Sequence, residues 1–403
     1  MRILITTDAY NTMVNGVAVS VDNLYKSLRE NGNDVRILTL AQTPFSYYEK
    51  DVYYIRSNAI KIYPDARATI SFWDDFLEEI VEWGPEIIHS QCEFFTFVFA
   101  RKIAKRLNIP IIHTYHTLYE HYTHYFCPNR SVGKKIASAF SKFICDQTDL
   151  VIAPTTKTAN LLESYGVNAE IAVVPTGISL ERLRRTVDEE ECAGLKEKYG
   201  IPGQAPVMVT LGRLAREKNV EFLIRQMVTS QMKEAGVHFL IVGDGPDRER
   251  LEFLVKELEL ENVIHFTGMV PPEEVYKYYH LGDIFVSASQ SETQGLTYIE
   301  ALACGLPLLC FKDECLEQVL KQGWNGYFFE NEVDFAQNLR LAFQKKEEMR
   351  AYAFETADEF SRETFGTKVL SLYKKAIEER KEEERCIRFE CIPRQIWHKG
   401  MGY

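Results

Sequence analysis

Short continuous apolar runs recur through this chain, and stretches of helical period lie between them. Residues 2–6, 35–40, 87–90, 110–114, 150–153 and 171–174 read as strands, with helical patterns at 17–30, 94–107 and 157–165 among them. The second half repeats the scheme, with apolar runs at 206–211, 238–242, 263–266, 284–288 and 307–311. Strands that are apolar on both faces and alternate with helices form parallel sheets covered by helices on both sides. At 403 residues the chain also exceeds what one hydrophobic core serves. The pattern predicts an α/β protein of two Rossmann-like domains, 1–176 and 177–379, with a first crossing at Val174-Pro175-Thr176-Gly177.

Composition narrows the function classes. The nine cysteines are scattered, odd in number and without a CxxC pair, and a protein without a signal peptide is expected. Free thiols in a reducing, cytoplasmic setting are expected. No apolar run approaches the roughly 20 residues of a spanning helix, so membrane contact would be peripheral. A net charge of −11 argues against a nucleic-acid partner. The charge is uneven, however. Residues 101–142 hold eight basic side chains and one acid, Glu120, which makes the segment +7 and the remainder −18. Within it Val132, Ile136, Phe140, Phe143 and Ile144 follow helical spacing beside Lys134, Lys135 and Lys142. That pattern fits a helix packing its stripe on the sheet, or one lying on an anionic membrane surface. The +7 segment favours the second.

The chemistry concentrates in Ser291-Glu292-Thr293-Gln294-Gly295-Leu296-Thr297-Tyr298-Ile299-Glu300. An apolar strand precedes it, and Gly295 opens an apolar helix. The first-turn amides of that helix lack intrahelical partners, and the helix dipole adds positive potential, so an anion is favoured there. Two carboxylates flanking that terminus, Glu292 and Glu300, suit hydroxyl groups. After the strand ending at Leu211, Arg213 and Lys218 offer a fork and a point charge to a diphosphate; taken alone, the pair also fits two solvated cations.

Four motifs, in this order, resemble retaining glycosyltransferase family 4 over nearly the whole chain. They are Met1-Arg2-Ile3-Leu4-Ile5-Thr6-Thr7-Asp8 with Asn15-Gly16-Val17, then Val174-Pro175-Thr176-Gly177-Ile178, then Leu211-Gly212-Arg213 through Asn219, and the E-x7-E run from Glu292 to Glu300. The resemblance implies a GT-B arrangement, two Rossmann-like domains facing across a cleft. It implies a UDP-sugar donor and transfer of a hexose with retention. Glu292 would hold sugar hydroxyls and Glu300 the ribose. Gln294, Gly295 and Leu296 would supply backbone amides, and Thr297 a hydroxyl near the phosphates. Arg213 and Lys218 would clamp the diphosphate, Gly16 would let the first domain approach it, and the backbone at Val270 would meet the base. His116 would position the sugar and donate to a hydroxyl. The tail, about 380–403, would return to the first domain. No Asp-x-Asp motif ends a strand, so no metal or other cofactor is expected.

Residues His116-Thr117-Leu118-Tyr119-Glu120-His121-Tyr122-Thr123-His124-Tyr125 resemble the corresponding loop of bacterial diacylglycerol glucosyltransferases. That implies diacylglycerol in an anionic membrane as acceptor, with the protein on the inner face of the cell membrane. His113, His116, His121 and His124 also invite a zinc reading, which would want three or four converging ligands, but here they are interleaved with aromatic residues in a loop, which favours an acceptor-facing role. Two other readings remain: a soluble sugar or polysaccharide acceptor, and an idle nucleotide-sugar-binding subunit. Sequence leaves the oligomeric state open.

Overall fold

The apolar runs pair as parallel strands because both of their faces are covered; His238–Val242, for example, is buried throughout. The structure, a computed structural model, describes residues 1–8, 10, 16–60, 67–69, 74–120 and 129–390. In the first sheet Arg2–Thr6 lies between Asp34–Leu40 and Ile87–Ser90. Beyond the former come Val52–Ile55 and an antiparallel edge, Tyr47–Glu49. Beyond the latter come Ile111–Thr114, Leu150–Ala153 and Glu170–Val173. In the second sheet Val207–Leu211 takes the equivalent place. His238–Val242 and Ile264–Gly268 lie on one side, and Ile284–Ser287, Leu308–Phe311 and Gly326–Phe329 on the other. Both sheets follow the Rossmann order, which reverses direction beside the first strand. Ligands collect in the crevice at the carboxyl ends of the strands flanking that reversal. Those ends are Thr6 and Ser90 in one domain, and Leu211 and Ser287 in the other.

The two domains join at a pair of adjacent crossings. Ile178 N–H donates to Phe360 O and Arg362 N–H to Ile178 O, each at 2.9 Å. A Cβ on Gly177 would come within 2.6 Å of Ser361 O, so a bare backbone is needed where the chains touch. The second crossing starts the helix Arg362–Glu390, which docks on the first domain. Phe365, Val369, Tyr373 and Ala376, one stripe at helical spacing, enter the first-domain core. The Tyr373 hydroxyl lies 2.6 Å from His89 Nδ1, and Lys375 Nζ 2.6 Å from both Glu170 oxygens. The chain therefore returns near residue 361. The sequence-based expectation of a second domain to 379 with return at about 380 is corrected, because apolar residues well before the charged tail carry the contact. No helix among the described residues is long and apolar enough to cross a membrane.

Gly366 marks how closely this helix approaches. A Cβ there would sit 2.0 Å from Ser27 Oγ and 2.7 Å from Ser27 Cβ, on the helix Gly16–Glu30. Gly366→Ala should therefore lower unfolding stability by about 1–3 kcal/mol through overpacking. Urea denaturation would measure it, and an unchanged midpoint would contradict the docking.

Candidate active site

In the second domain the crevice is built by two loops. After Ile284–Ser287 the chain runs to Gly295, which adopts φ 75°, and enters the helix Leu296–Ala303. Glycine is required there, since a Cβ would sit 2.2 Å from the Tyr298 ring. The turn points the first amides of the helix into a cleft of about 850 Å³ between the domains. After Val207–Leu211 the second loop carries Arg213 and then a single turn, Arg216–Lys218. Asn219 at φ 51° reverses the backbone into the helix Val220–Thr229. Lys218 Nζ meets Glu292 Oε1 at 2.5 Å, and Arg213 meets Glu217 Oε1 at 2.5 Å. Both cations face the cleft, each held against a carboxylate.

The first domain forms the opposite wall. His116 follows the strand Ile111–Thr114, and its Nε2 lies 2.7 Å from Gln91 Oε1. The ring, held by the Gln91 carboxamide through this nitrogen, keeps Nδ1 for another partner. Desolvation lowers its pKa to about 4, against an opposing pull from the Glu93 carboxylate. The imidazole is neutral at ordinary pH. Glu93 is itself buried; its Oε2 accepts from the Tyr119 hydroxyl at 2.6 Å, and its Oε1 lies 3.4 Å from His113 Nε2. Tyr119 is fixed in turn edge-on to Phe140, with ring centroids 5.6 Å apart, and Phe140 stacks on Phe94. This wall is apolar and aromatic.

The cleft gathers most of the residues singled out from sequence. Gly16, His116, Arg213 and Lys218 line it. So do Glu292, Gln294, Gly295, Leu296 and Thr297. At Gly16 a Cβ would meet only Leu296 Cδ1, at 3.9 Å, so the protein itself leaves room for a side chain there. Two expected residues lie outside the lining. Glu300 is on the buried face of its helix, where its Oε2 accepts from the Tyr279 hydroxyl at 3.0 Å and burial raises its carboxyl pKa. Val270 turns inward and packs with Tyr278 and Leu281, while Met269 faces outward. His113 is a buried strand residue, and His121 and His124 lie outside the described residues. Sequence reading missed Gln91 and Glu93. The available signal was their position just past Ile87–Ser90, but it has meaning only once that strand is known to flank the reversal.

The basic helix is Arg130–Cys145, capped by Asn129, whose side chain accepts from the Ser131 and Val132 amides. Its apolar stripe is divided between the interior and the surface. Ala137, Ser141 and Ile144 turn inward, whereas Val132, Ile136 and Phe143 stay 47%, 50% and 63% exposed. Lys134 is paired with Glu120 at 2.8 Å.

The Glycosyltransferase Family 4 model matches residues 14–182, and the Glycosyl transferases group 1 model matches residues 194–360. The chain is 33% identical to an alpha-monoglucosyldiacylglycerol synthase of Streptococcus pneumoniae, over 94% of this chain and 86% of that protein. It is 30% identical to the enzyme of the same name from Acholeplasma laidlawii, over 84% and 87%. Among solved structures, Anabaena HepE in complex with UDP-glucose superposes with a TM-score of 0.72 at 15% identity, covering 93% of this chain and all of that one. Sucrose-phosphate synthase from Thermosynechococcus elongatus gives 0.71 at 20%, covering 94% and 99%. At such identities the likeness is one of fold.

The neutral ring of His116 can be tested directly. Its folded pKa lies below the ordinary value, so its contribution to stability is full above pH ~6.5 and is lost as pH falls toward the folded pKa. NMR titration should give a midpoint near the value of about 4. A midpoint at the unperturbed value would contradict the desolvated setting.

Proposed function

We infer that this chain, which belongs to glycosyltransferase family 4 and has the GT-B fold, moves glucose from UDP-glucose to the 3-hydroxyl of diacylglycerol with retention of the α configuration. The observation that carries this reading is the composition of one cleft. A helix terminus and two cations on one side face an apolar wall that continues onto an exposed, basic helix. The names and coverage of the two full-length relatives support the lipid acceptor. The UDP-glucose complex of a structural neighbour supports the donor.

In this reading the diphosphate takes the amides of Leu296 and Thr297 together with Arg213 and Lys218. It replaces the carboxylates that the two cations otherwise meet, and Glu292 is released to accept from sugar hydroxyls. The bond from the anomeric carbon to the phosphate oxygen breaks as the lipid hydroxyl oxygen bonds on the same face, and the hydroxyl proton passes to the departing phosphate. Fixed amides and cations aimed at developing charge supply a large catalytic effect. They do for the leaving group what a divalent ion would do, so the reaction needs no metal. His116 positions the sugar through a hydrogen bond from its ring to a hydroxyl and does not act as a general base.

The acceptor lies in a bilayer, and the protein must reach it from the cytoplasmic face. Val132, Ile136 and Phe143 offer apolar surface to lipid, and each nearby Lys or Arg adds about 1 kcal/mol at an anionic membrane. Phe94, Tyr119 and Phe140 then line a dry path from that surface to His116.

Two results are expected. Lys218→Ala should weaken UDP binding about tenfold or more, as loss of a charge-assisted hydrogen bond; unchanged affinity by calorimetry would remove the clamp. Changing Val132→Ser, Phe143→Ser and Lys135→Glu together should release the protein from anionic liposomes in flotation while sparing UDP binding. Persistent flotation, or none in the wild type, would favour a soluble or polysaccharide acceptor.

A further inference from the structure

Two polar side chains, Gln91 and Glu93, follow the end of the strand Ile87–Ser90, and the wall uses them differently. The backbone carries the sheet one step further on both strands concerned. Gln91 N–H donates to Thr6 O at 2.8 Å, and Tyr115 N–H donates to Ile152 O at 3.0 Å. Gln91 and His116 are therefore placed by the sheet itself, and the carboxamide reaches the ring nitrogen at 2.7 Å. Gln91 is only 2% exposed. Its Nε2 is buried without a partner among the described residues, so the side chain is not there for stability: a buried amide with half its hydrogen bonding unmet costs free energy. Two residues on, the Glu93 carboxylate is turned to the Tyr119 hydroxyl and toward His113. The ring at the cleft thus meets the amide, and the carboxylate bonds elsewhere.

We propose that Gln91 is a positioning residue whose neutral carboxamide holds the His116 ring against the cleft and keeps positive charge away from the sugar as its bond to phosphate breaks. The inference rests on the glycosyltransferase reading of the cleft. When the phosphate oxygen leaves with the bonding electrons, the anomeric carbon and the sugar ring oxygen share a positive charge. A cation fixed beside them would oppose that charge, and more strongly in a dry site than in water. The two possible partners differ in what they do to an imidazole. A carboxamide serves either neutral tautomer, accepting through its oxygen or donating through its nitrogen. A carboxylate only accepts, and its charge favours the imidazolium. The rest of the surroundings is balanced in the same sense. Burial keeps the ring neutral, Glu93 pulls a proton toward it, and His113 opposes that pull, with His89 close behind. Tyr119 is uncharged, because burial holds its hydroxyl well above the ordinary value. Across the cleft stand Arg213, Lys218 and Glu292. A carboxylate in place of the Gln91 carboxamide would tip this balance toward the cation.

The test uses the full chain with ring-labelled histidine and two substitutions, Gln91→Glu and Gln91→Met. The His116 signal is identified by its loss in His116→Asn. In Gln91→Glu the His116 titration midpoint should rise by about 1–3 units above that of the wild type. UDP release from UDP-glucose, with and without diacylglycerol liposomes, gives the rate. The ratio of the Gln91→Glu rate to the wild-type rate should fall about tenfold as pH drops from ~8 to ~5, because the ring gains its proton in the variant and not in the wild type. Gln91→Met keeps the length of the side chain and removes its hydrogen bond. It should be slower by about tenfold or more at every pH, with a flat ratio, since the ring is no longer held in line. UDP affinity by calorimetry should stay near wild type in both, as the second domain carries the diphosphate site. An unmoved His116 midpoint in Gln91→Glu would overturn the proposal. So would a raised midpoint with a flat rate ratio, or a Gln91→Met variant as fast as the wild type. Equal losses in both variants without any dependence on pH would mean a structural role alone, and overturn it too. The titration needs neither donor nor acceptor, and UDP release is read without lipid as well as with it. A wild type that makes no glycolipid therefore refutes the proposed acceptor and leaves this test standing.

Discussion

A helix that starts at the carboxyl end of a parallel strand leaves its first amides without partners, and this cleft is organised around that fact. The start of the helix Leu296–Ala303 is set by one glycine at φ 75°, because no side chain fits beside the Tyr298 ring. The cations that complete the anion site come from the equivalent end of Val207–Leu211, the neighbouring strand at the reversal of the sheet. The same topology in the first domain delivers Gln91, Glu93 and His116 to the facing wall. Two copies of one topological rule, turned toward each other, make a site that neither makes alone.

The facing walls differ in chemistry. The second-domain wall is polar and cationic, with its charges paired to carboxylates. The first-domain wall hides its charge: Glu93 lies beneath Tyr119, and desolvation keeps His116 neutral. A neutral, aromatic wall thus stands beside a charged one within one cavity. The exposed stripe on Arg130–Cys145 extends the apolar side to the surface.

Much of this was legible before any coordinates. Continuous apolar runs gave away both sheets, and the Gly295 turn with its flanking carboxylates was readable as a helix terminus. The edge strands were harder. Val52–Ile55 follows a turn made by Lys50 and Asp51, both at positive φ, and its two tyrosines break the apolar run. Gly326–Phe329 opens on a glycine whose value is a close approach to Leu308 O, where a Cβ would come within 2.3 Å. The inward packing of the Val270 side chain was not legible, because a turn after a strand does not declare which of its residues faces in. The role of the Gln91 side chain was hidden for another reason. Its partner is 25 residues away, and an amide past a strand end carries no local sign of the ring it will meet.

The central question is whether a hexose leaves a nucleotide in this cleft for a lipid hydroxyl. The most direct measurement incubates the purified chain with UDP-glucose and diacylglycerol in anionic liposomes, with EDTA present, and analyses the lipid product by mass and anomeric NMR. The expected product is a monoglucosyl diacylglycerol of α configuration, formed at undiminished rate despite the chelator. A β product, activity abolished by EDTA and restored by a divalent ion, or release of UDP with no glycolipid formed would contradict it.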